Sequence, residues 1–481
     1  MAALAVVVGS LGLATALSGS PSALAVGPVV GVASSMDVLR PDGPIPALPA
    51  SSSLTAVRNE TESFQILVSG PATNVDVTGD LFGWGTTMLY REGAYNATTE
   101  SDHEGGVGLW WDPLIPDVDI IYHEQRNAFP FAVAAGKAQA VWIDIFVPPT
   151  AAAGQYSGAL AVSSTTGTTL VPVSLEVIDW TMPTTSSVRS AFYSVFDQGT
   201  SALCKAHFPL DVGKNCNGDA TTLRTLHSLY ARMALDARVT IANGAGLNAA
   251  QSPADGDPSG QWESLYEAPI IRSDTTVPAG ASWRLAGAQS TVVSQHAYND
   301  YDCNAACALE WKAEAGEAGQ DFSDAFLWYA CDEAGGNVAK WSNCATYFNP
   351  VQQAWPAKAL VTAPIQQYEQ FGQAHLQAQV LVVISQYMDG KVNPGHPDYG
   401  YLGNQRSKYD AFLQTPGNEV WLYSACDGYS CDGQYSDDPV YDGWPGYAID
   451  APAVQSRAES WMDYKYAVSY THLTLPTNRE V

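Results

Sequence analysis

Two adjacent carboxylates, Asp332 and Glu333, follow directly on the apolar run from Phe326 to Cys331. A buried strand that ends on two acids holds both at its carboxyl end, where parallel-sheet enzymes keep their chemistry. Cleavage of a glycosidic bond needs one acid to protonate the leaving oxygen and a second group to stabilise charge at the anomeric carbon. Neighbouring residues stand too close in sequence to flank a sugar ring as the usual acid and nucleophile. They suit a different division of labour, in which the substrate's own 2-acetamido oxygen attacks the anomeric carbon. One carboxylate then orients the amide N–H. The other is the general acid, its pKa raised by desolvation among flanking aromatics. The competing assignment is structural: an Asp-Glu pair also caps a helix, here one starting near Gly335, because acids favour a helix N-terminus.

Other groups at strand ends could complete such a site. Tyr193, Asn243, Tyr387 and Tyr423 could contact a sugar or its acetamido carbonyl. Trp421 could stack on a ring, although core packing is the commoner fate of a tryptophan. His396, in the loop Asn393-Pro-Gly-His-Pro397, could touch substrate, with a surface histidine as the plain alternative. Asp427, Asp432, Asp437, Asp438 and Asp442 crowd one Gly- and Tyr-rich loop. Oxygen ligands at that density could bind calcium, but the spacing is no EF-hand and a solvated acidic loop is the simpler reading. No metal ligand set and no cofactor is assigned.

These residues need a scaffold. From about residue 29 to 177 the sequence is strand-like: residues 63–69, 140–147, 157–162 and 169–177 are β-rich, and turn residues such as Pro148-Pro149 separate them. Many short strands with such punctuation predict an antiparallel β-sandwich over residues 27–183. Beyond Pro183 strand-like runs alternate with helical ones. Strands are expected at residues 189–196, 238–242, near Ser290, 324–331, 357–363, 380–385 and 419–424, and helices at 220–235, 337–348 and 402–413. Alternation predicts a parallel sheet. The number of units over residues 184–467 predicts a (β/α)8 barrel of TIM type, with an open doubly wound sheet as the alternative. No Gly-rich phosphate loop follows any strand, so no nucleotide is expected.

Composition narrows the class. The chain has 481 residues, with 22 Lys+Arg against 49 Asp+Glu and a net charge of −27. That length predicts two domains. Hydrophobic residues make up 46% and charged ones only 15%, which excludes a disordered acidic tail. So acidic a surface repels phosphate and argues against nucleic acid as a partner. Fourteen Trp and 24 Tyr fit a sugar-binding cleft as well as ordinary core packing. Neither a G-x-S-x-G elbow nor a zinc-type histidine pair supports a protease.

The chain termini and cysteines suggest a compartment. Residues 1–25 hold an apolar run and a small-residue site, as in a secretory signal. No Lys or Arg precedes the run, which leaves an N-terminal anchor as the alternative to secretion. Eight cysteines fall in the close pairs Cys204/Cys216, Cys303/Cys307, Cys331/Cys344 and Cys426/Cys431, which predict disulfides in an exported protein. Asn59-Glu-Thr61 and Asn96-Ala-Thr98 are glycosylation sequons that agree with export. Residues 468–481 begin abruptly with a stretch resembling translated adaptor sequence. They are expected to be non-native, so that the barrel lacks its last strand.

Several segments, taken in order, are similar to one family. Trp328-Tyr-Ala-Cys-Asp-Glu333 resembles the aspartate–glutamate motif of glycoside hydrolase family 123 and its uncharacterised relatives. Glu62-Ser-Phe-Gln65 resembles its early sandwich strand, Trp110-Trp-Asp-Pro-Leu-Ile-Pro116 a proline–leucine–proline loop, and Gln139-Ala-Val-Trp142 with Val147-Pro148 a central strand. Ala153-Gly-Gln-Tyr-Ser-Gly158 is similar to the next turn and strand, and Val420-Trp-Leu-Tyr-Ser424 and residues 457–466 to the late barrel. Together these segments fall across residues 55–466. The resemblance implies a β-sandwich followed by a (β/α)8 barrel, and substrate-assisted, retaining hydrolysis of β-linked N-acetylgalactosamine. It implies that Asp332 polarises and orients the acetamido group and that Glu333 is the acid/base. Ala334 is a departure, because members often carry Pro there. The expectation is therefore an exported glycosidase acting on a glycan. A non-catalytic carbohydrate-binding or surface protein on the same scaffold is the alternative.

Overall fold

The computed structural model describes residues 27–101, 104–119, 124–193, 230, 232–242, 284–285, 287–288, 290–299, 303–317, 326–424, 440–441, 443–466 and 470–474. The signal-like segment, Asn243, Cys204, Cys216, Cys426, Cys431 and the acidic residues Asp427, Asp432, Asp437, Asp438 and Asp442 lie outside the described residues.

Ten strands build the first part: β1 (Val29–Ser34), β2 (Ser52–Arg58), β3 (Thr61–Ser69), β4 (Ala72–Thr78), β5 (Thr87–Ala97), β6 (Gly108–Pro116), β7 (Phe131–Val133), β8 (Ala138–Phe146), β9 (Gly154–Ser164) and β10 (Gly167–Thr181). They form two five-stranded sheets, ordered β1-β3-β8-β5-β6 and β2-β10-β9-β4-β7. Alternation decides which face is buried. Phe64, Ile66 and Val68 of β3 and Val141, Ile143 and Ile145 of β8 meet Leu160, Val162, Val171 and Val173 of the other sheet in one core. The sandwich is antiparallel except between β2 and β10, which run parallel. Asn59, in the turn between β2 and β3, is buried with φ 64°. Its amide donates to the Met182 carbonyl at 2.8 Å and to Thr184 Oγ1 at 3.2 Å. The first sequon is thus a structural turn rather than an accessible acceptor, whereas Asn96 is exposed.

The second part is a single eight-stranded sheet of β11 (Arg189–Tyr193), β12 (Ile241–Ala242), β13 (Val293–His296), β14 (Phe326–Cys331), β15 (Lys358–Thr362), β16 (Val380–Ile384), β18 (Glu419–Ser424) and β19 (Tyr470–Thr474); the two-residue β17 (Gly403–Asn404) stays outside it. Every pairing in it is parallel. Its order, β12-β11-β19-β18-β16-β15-β14-β13, leaves β12 and β13 at its ends, without a further partner strand among the described residues.

The expected (β/α)8 barrel is therefore corrected to an open half-barrel among the described residues. Four helices of eight residues or more accompany it: α1 (Ala305–Glu317), α2 (Val338–Ala354), α3 (Arg406–Leu413) and α4 (Ala453–Tyr466). A barrel needs a helix for each strand, and its closure depends on stagger and tilt around the whole ring, which no local pattern encodes. Tyr470–Thr474, inside the segment read as non-native, forms β19, which pairs with both β18 and β11.

The helices cover one face. Trp311 of α1, Trp341, Cys344 and Phe348 of α2, Tyr409 of α3 and Met462 of α4 pack with Phe326, Trp328, Leu381, Val383, Val420 and Leu422. The opposite parity, Leu327, Tyr329, Leu360, Val382, Ile384, Trp421 and Tyr423, fills the concave face. Among the described residues the helices of eight residues or more pack on one face, unlike the doubly wound alternative, which has them on both. At the amino-terminal edge Glu419 binds Lys358 at 2.5 Å and Arg189 at 3.2 Å. Each is the first residue of its strand, so an ion cluster pins β11, β15 and β18 at the edge away from the site described next.

Candidate active site

Because all pairings are parallel, the carboxyl ends of the strands share one edge. His296 closes β13, Asp332 and Glu333 follow β14, Thr362 closes β15, Tyr387 lies just past β16, and Tyr423 is the penultimate residue of β18. The Asp-Glu pair does not cap α2. Asn337 does, its side chain accepting from the Lys340 N–H at 3.0 Å. The structural alternative for the pair is removed by that one bond.

Both carboxylates are held from below. Asp332 Oδ1 accepts from the Tyr329 hydroxyl at 2.6 Å and from Thr362 Oγ1 at 2.9 Å. Its second oxygen, Oδ2, has no hydrogen-bond partner among the described residues. Thr362 Oγ1 also accepts the Glu333 N–H at 2.7 Å. Glu333 sits at φ 38°, a conformation that costs a non-glycine residue on the order of 1–3 kcal/mol. The Thr362 bond offsets this, as does the Tyr423 hydroxyl, which donates to Glu333 Oε1 at 2.8 Å. Burial, and then the charge of Glu333, push the Tyr423 phenol well above its ordinary pKa, so it stays a donor. Covalent and packing supports lie alongside. The Cys331–Cys344 disulfide ties the end of β14 to α2, and Trp341 Nε1 donates to the Gly335 carbonyl at 2.9 Å. Gly335 itself, at φ 54°, makes the turn that follows the acids.

Glu333 is exposed and lines a cavity of about 220 Å³ together with Thr362, Gln367, Tyr387, Tyr423 and Tyr441. That volume takes one compact ring rather than a drug-sized molecule, for which about 300–1,000 Å³ is usual. Asp332 stands beside this cavity, joined to it through Thr362. Next to Asp332 is His296, half-buried at the end of β13 and held at a pKa of about 4 by desolvation, with Asp332 opposing the shift. It is a neutral imidazole at pH 7, its ring 5.1 Å from that of Tyr329 and 5.3 Å from that of Tyr298.

The remaining sequence candidates fall in different places. Tyr387 lines the cavity, but its hydroxyl donates to Asp398 Oδ2 at 3.0 Å, an oxygen that Tyr441 also reaches at 2.8 Å. His396 is a prop for that carboxylate. Its Nδ1 accepts the Asp398 N–H at 3.0 Å and its ring packs 5.5 Å from Tyr441. Trp421 is fully buried in the concave core, its indole N–H directed to Glu419 Oε2 at 3.0 Å, toward the opposite edge of the sheet. Tyr193 ends β11, where its backbone pairs with Ala242 and Thr474. Asn243 lies outside the described residues.

Sequence reasoning missed Tyr329, Thr362, His296, Asp398 and Tyr441. For two of them a signal existed. Tyr329 precedes Asp332 by three positions on the concave parity, and Thr362 is the polar residue that follows the apolar run Ala359-Leu360-Val361. His296 ends a four-residue strand with no pattern of its own.

The fold resembles that of a family 123 glycoside hydrolase. That enzyme, from Clostridium perfringens and studied for hydrolysis of glycolipid glycans, superposes with a TM-score of 0.52 at 10% identity, over 93% of this chain and 78% of its own. Chitinase ChiW from a Paenibacillus species (TM-score 0.24, 8% identity, 95% of this chain and 55% of that one) is too distant to bear on the fold. So is a Bacteroides fragilis protein assigned as an α-galactosidase (0.22, 10%, 78% and 67%). No family model and no curated protein sequence matches the chain.

Proposed function

We propose that the protein is a glycoside hydrolase that cleaves a β-linked 2-acetamido sugar, of the N-acetylgalactosamine type, with participation of the substrate's own amide. The observation that carries this reading is the division within the pair. Asp332 is fixed through Oδ1 and leaves Oδ2 open, while Glu333 points into the cavity. An open, rigid carboxylate oxygen is an acceptor for an acetamido N–H. The bond strengthens as the amide oxygen attacks the anomeric carbon and positive charge grows on nitrogen, so it stabilises the transition state more than the ground state.

Glu333 gives its proton to the leaving oxygen as the glycosidic bond breaks, which leaves a cyclised sugar intermediate. It then takes a proton from the water that opens the ring at the same carbon, and configuration is retained. In the free chain the Tyr423 hydroxyl donates to Glu333 Oε1. A sugar in the cavity displaces water from this exposed carboxylate, and desolvation favours the protonated acid that the first step needs. The fold shared with a glycoside hydrolase and two disulfides, which fit an extracytoplasmic protein, support the same reading.

The test is a pair of variants on aryl 2-acetamido-β-glycosides with good and poor leaving groups. Asp332→Asn loses turnover on all of them. Glu333→Gln loses it on poor leaving groups and keeps much of it on good ones, which need no proton. Equal losses for both variants across the series contradict the assignment of roles.

A further inference from the structure

The outward face of the β1-β3-β8-β5-β6 sheet is unusual for a solvent face. On it stand Gln65, Glu92, Trp111 and Trp142 instead of the expected small polar residues and lysines. Between this face and residues 446–457 lies a groove of about 620 Å³, which shares no lining residue with the cavity at Glu333. Its size falls within the roughly 300–1,000 Å³ of small-molecule sites.

Three observations show that packing alone does not account for it. Glu92 is 6% exposed, yet neither carboxyl oxygen bonds to any described residue, and Oε1 is fully buried. The indole N–H of Trp111 is likewise buried without a partner. Native folds seldom keep such groups unsatisfied without a use for them. By contrast Trp142, which lines the same groove, has its N–H fixed on Asp144 at 2.8 Å, so the aromatic wall is rigid on that side. Asp112 and Arg457 complete the lining with an acceptor and a fork of donors. Burial raises the carboxyls of Asp112 and Glu92, the latter to about 7, so at neutral pH Glu92 both gives and accepts hydrogen bonds.

Flat aromatic faces beside paired donors and acceptors match a pyranose, which offers a C–H face to stack and hydroxyls around its rim. We propose that this groove is a second carbohydrate-binding site, which takes a neutral di- or trisaccharide with one ring against Trp111 and hydroxyls on Glu92 and Arg457. It stands whether or not Glu333 cleaves anything.

The experiment is hydrogen–deuterium exchange on the full Glu333→Gln chain with lactose, N-acetyllactosamine and N,N′-diacetylchitobiose in turn. At least one sugar protects residues 109–112 and 446–457. Trp111→Ala and Glu92→Gln each weaken that protection about tenfold or more. Protection of residues 362–364 and 382–387 reports the Glu333 cavity separately. Glu92→Gln changes no shape, and Asp112→Asn replaces Trp111→Ala if the latter melts early. No protection of the groove by any of the three sugars overturns the proposal. So does unchanged binding in the variants.

Discussion

Thr362 is the residue on which both acids depend. One hydroxyl donates to Asp332 and accepts the N–H of Glu333, whose backbone is in the left-handed region. Thr362→Val keeps the shape and removes both bonds. It is expected to cost about 1–3 kcal/mol of stability, read by denaturant unfolding. It is expected to lower kcat by about 100-fold, because the acids lose registration by a fraction of an ångström or more. Thr362→Ser restores most of each. The sequence marks Thr362 only as a polar residue closing an apolar run, and its link to a pair thirty residues away was not legible. The pair itself was legible, since two acids closing an apolar run announce a strand end. What the sequence left open was whether they cap a helix, and only the position of Asn337 decides that. Trp421 shows the converse: of stacking on a sugar and core packing, the commoner fate of a tryptophan is the one its strand parity gives it.

At the scale of elements, β14 and α2 form the rigid unit behind the site. The Cys331–Cys344 disulfide closes a loop with a sequence separation of 13, and its first cysteine adjoins Asp332. A bridge of this span contributes about 3 kcal/mol by restricting the unfolded chain. The double variant Cys331→Ala/Cys344→Ala is therefore expected to melt several degrees lower. It also loses activity at temperatures where it is still folded, because the strand end is no longer tethered to the helix. Full activity of a folded, reduced protein would show that packing by Trp341 suffices. Most strands of the second sheet were legible one by one, since apolar runs bounded by turns mark buried parallel strands, whereas the four-residue β13 and β19, in the segment read as non-native, were not. Barrel closure was not. It is a relation between β12 and β13, which are the ends of the observed order and have two and four residues of strand.

At the scale of the whole molecule, folding takes up protons. Glu459 on α4 is 1% exposed, accepts from Ser424, and has a second oxygen without a partner. Burial pushes its carboxyl up to about 7, the Ser424 bond opposes this, and neighbouring Asp463 adds to it. The unfolded value is about 4.3, so between roughly pH 4.3 and 7 the unfolded chain ionises first and stability falls as pH rises. Below that window Glu459 contributes nothing, and above it the cost stays constant, on the order of 3–4 kcal/mol. His296, held down to about 4, acts in the opposite sense between about 4 and 6.5. The variant Glu459→Gln separates the two. It is expected to melt higher than the parent at pH 8 and at the same temperature at pH 4. A gain that does not depend on pH would mean that Glu459 is ionised throughout.

The central claim is that the substrate's own amide takes part, oriented by Asp332 while Glu333 moves the proton. The most direct measurement compares the wild-type chain on two substrates with one leaving group, 4-nitrophenyl 2-acetamido-2-deoxy-β-galactoside and 4-nitrophenyl β-galactoside. Release of nitrophenol from the first alone, at a rate abolished by Asp332→Asn, is the predicted result. Comparable release from both substrates, or none from either by a folded chain, would contradict the account.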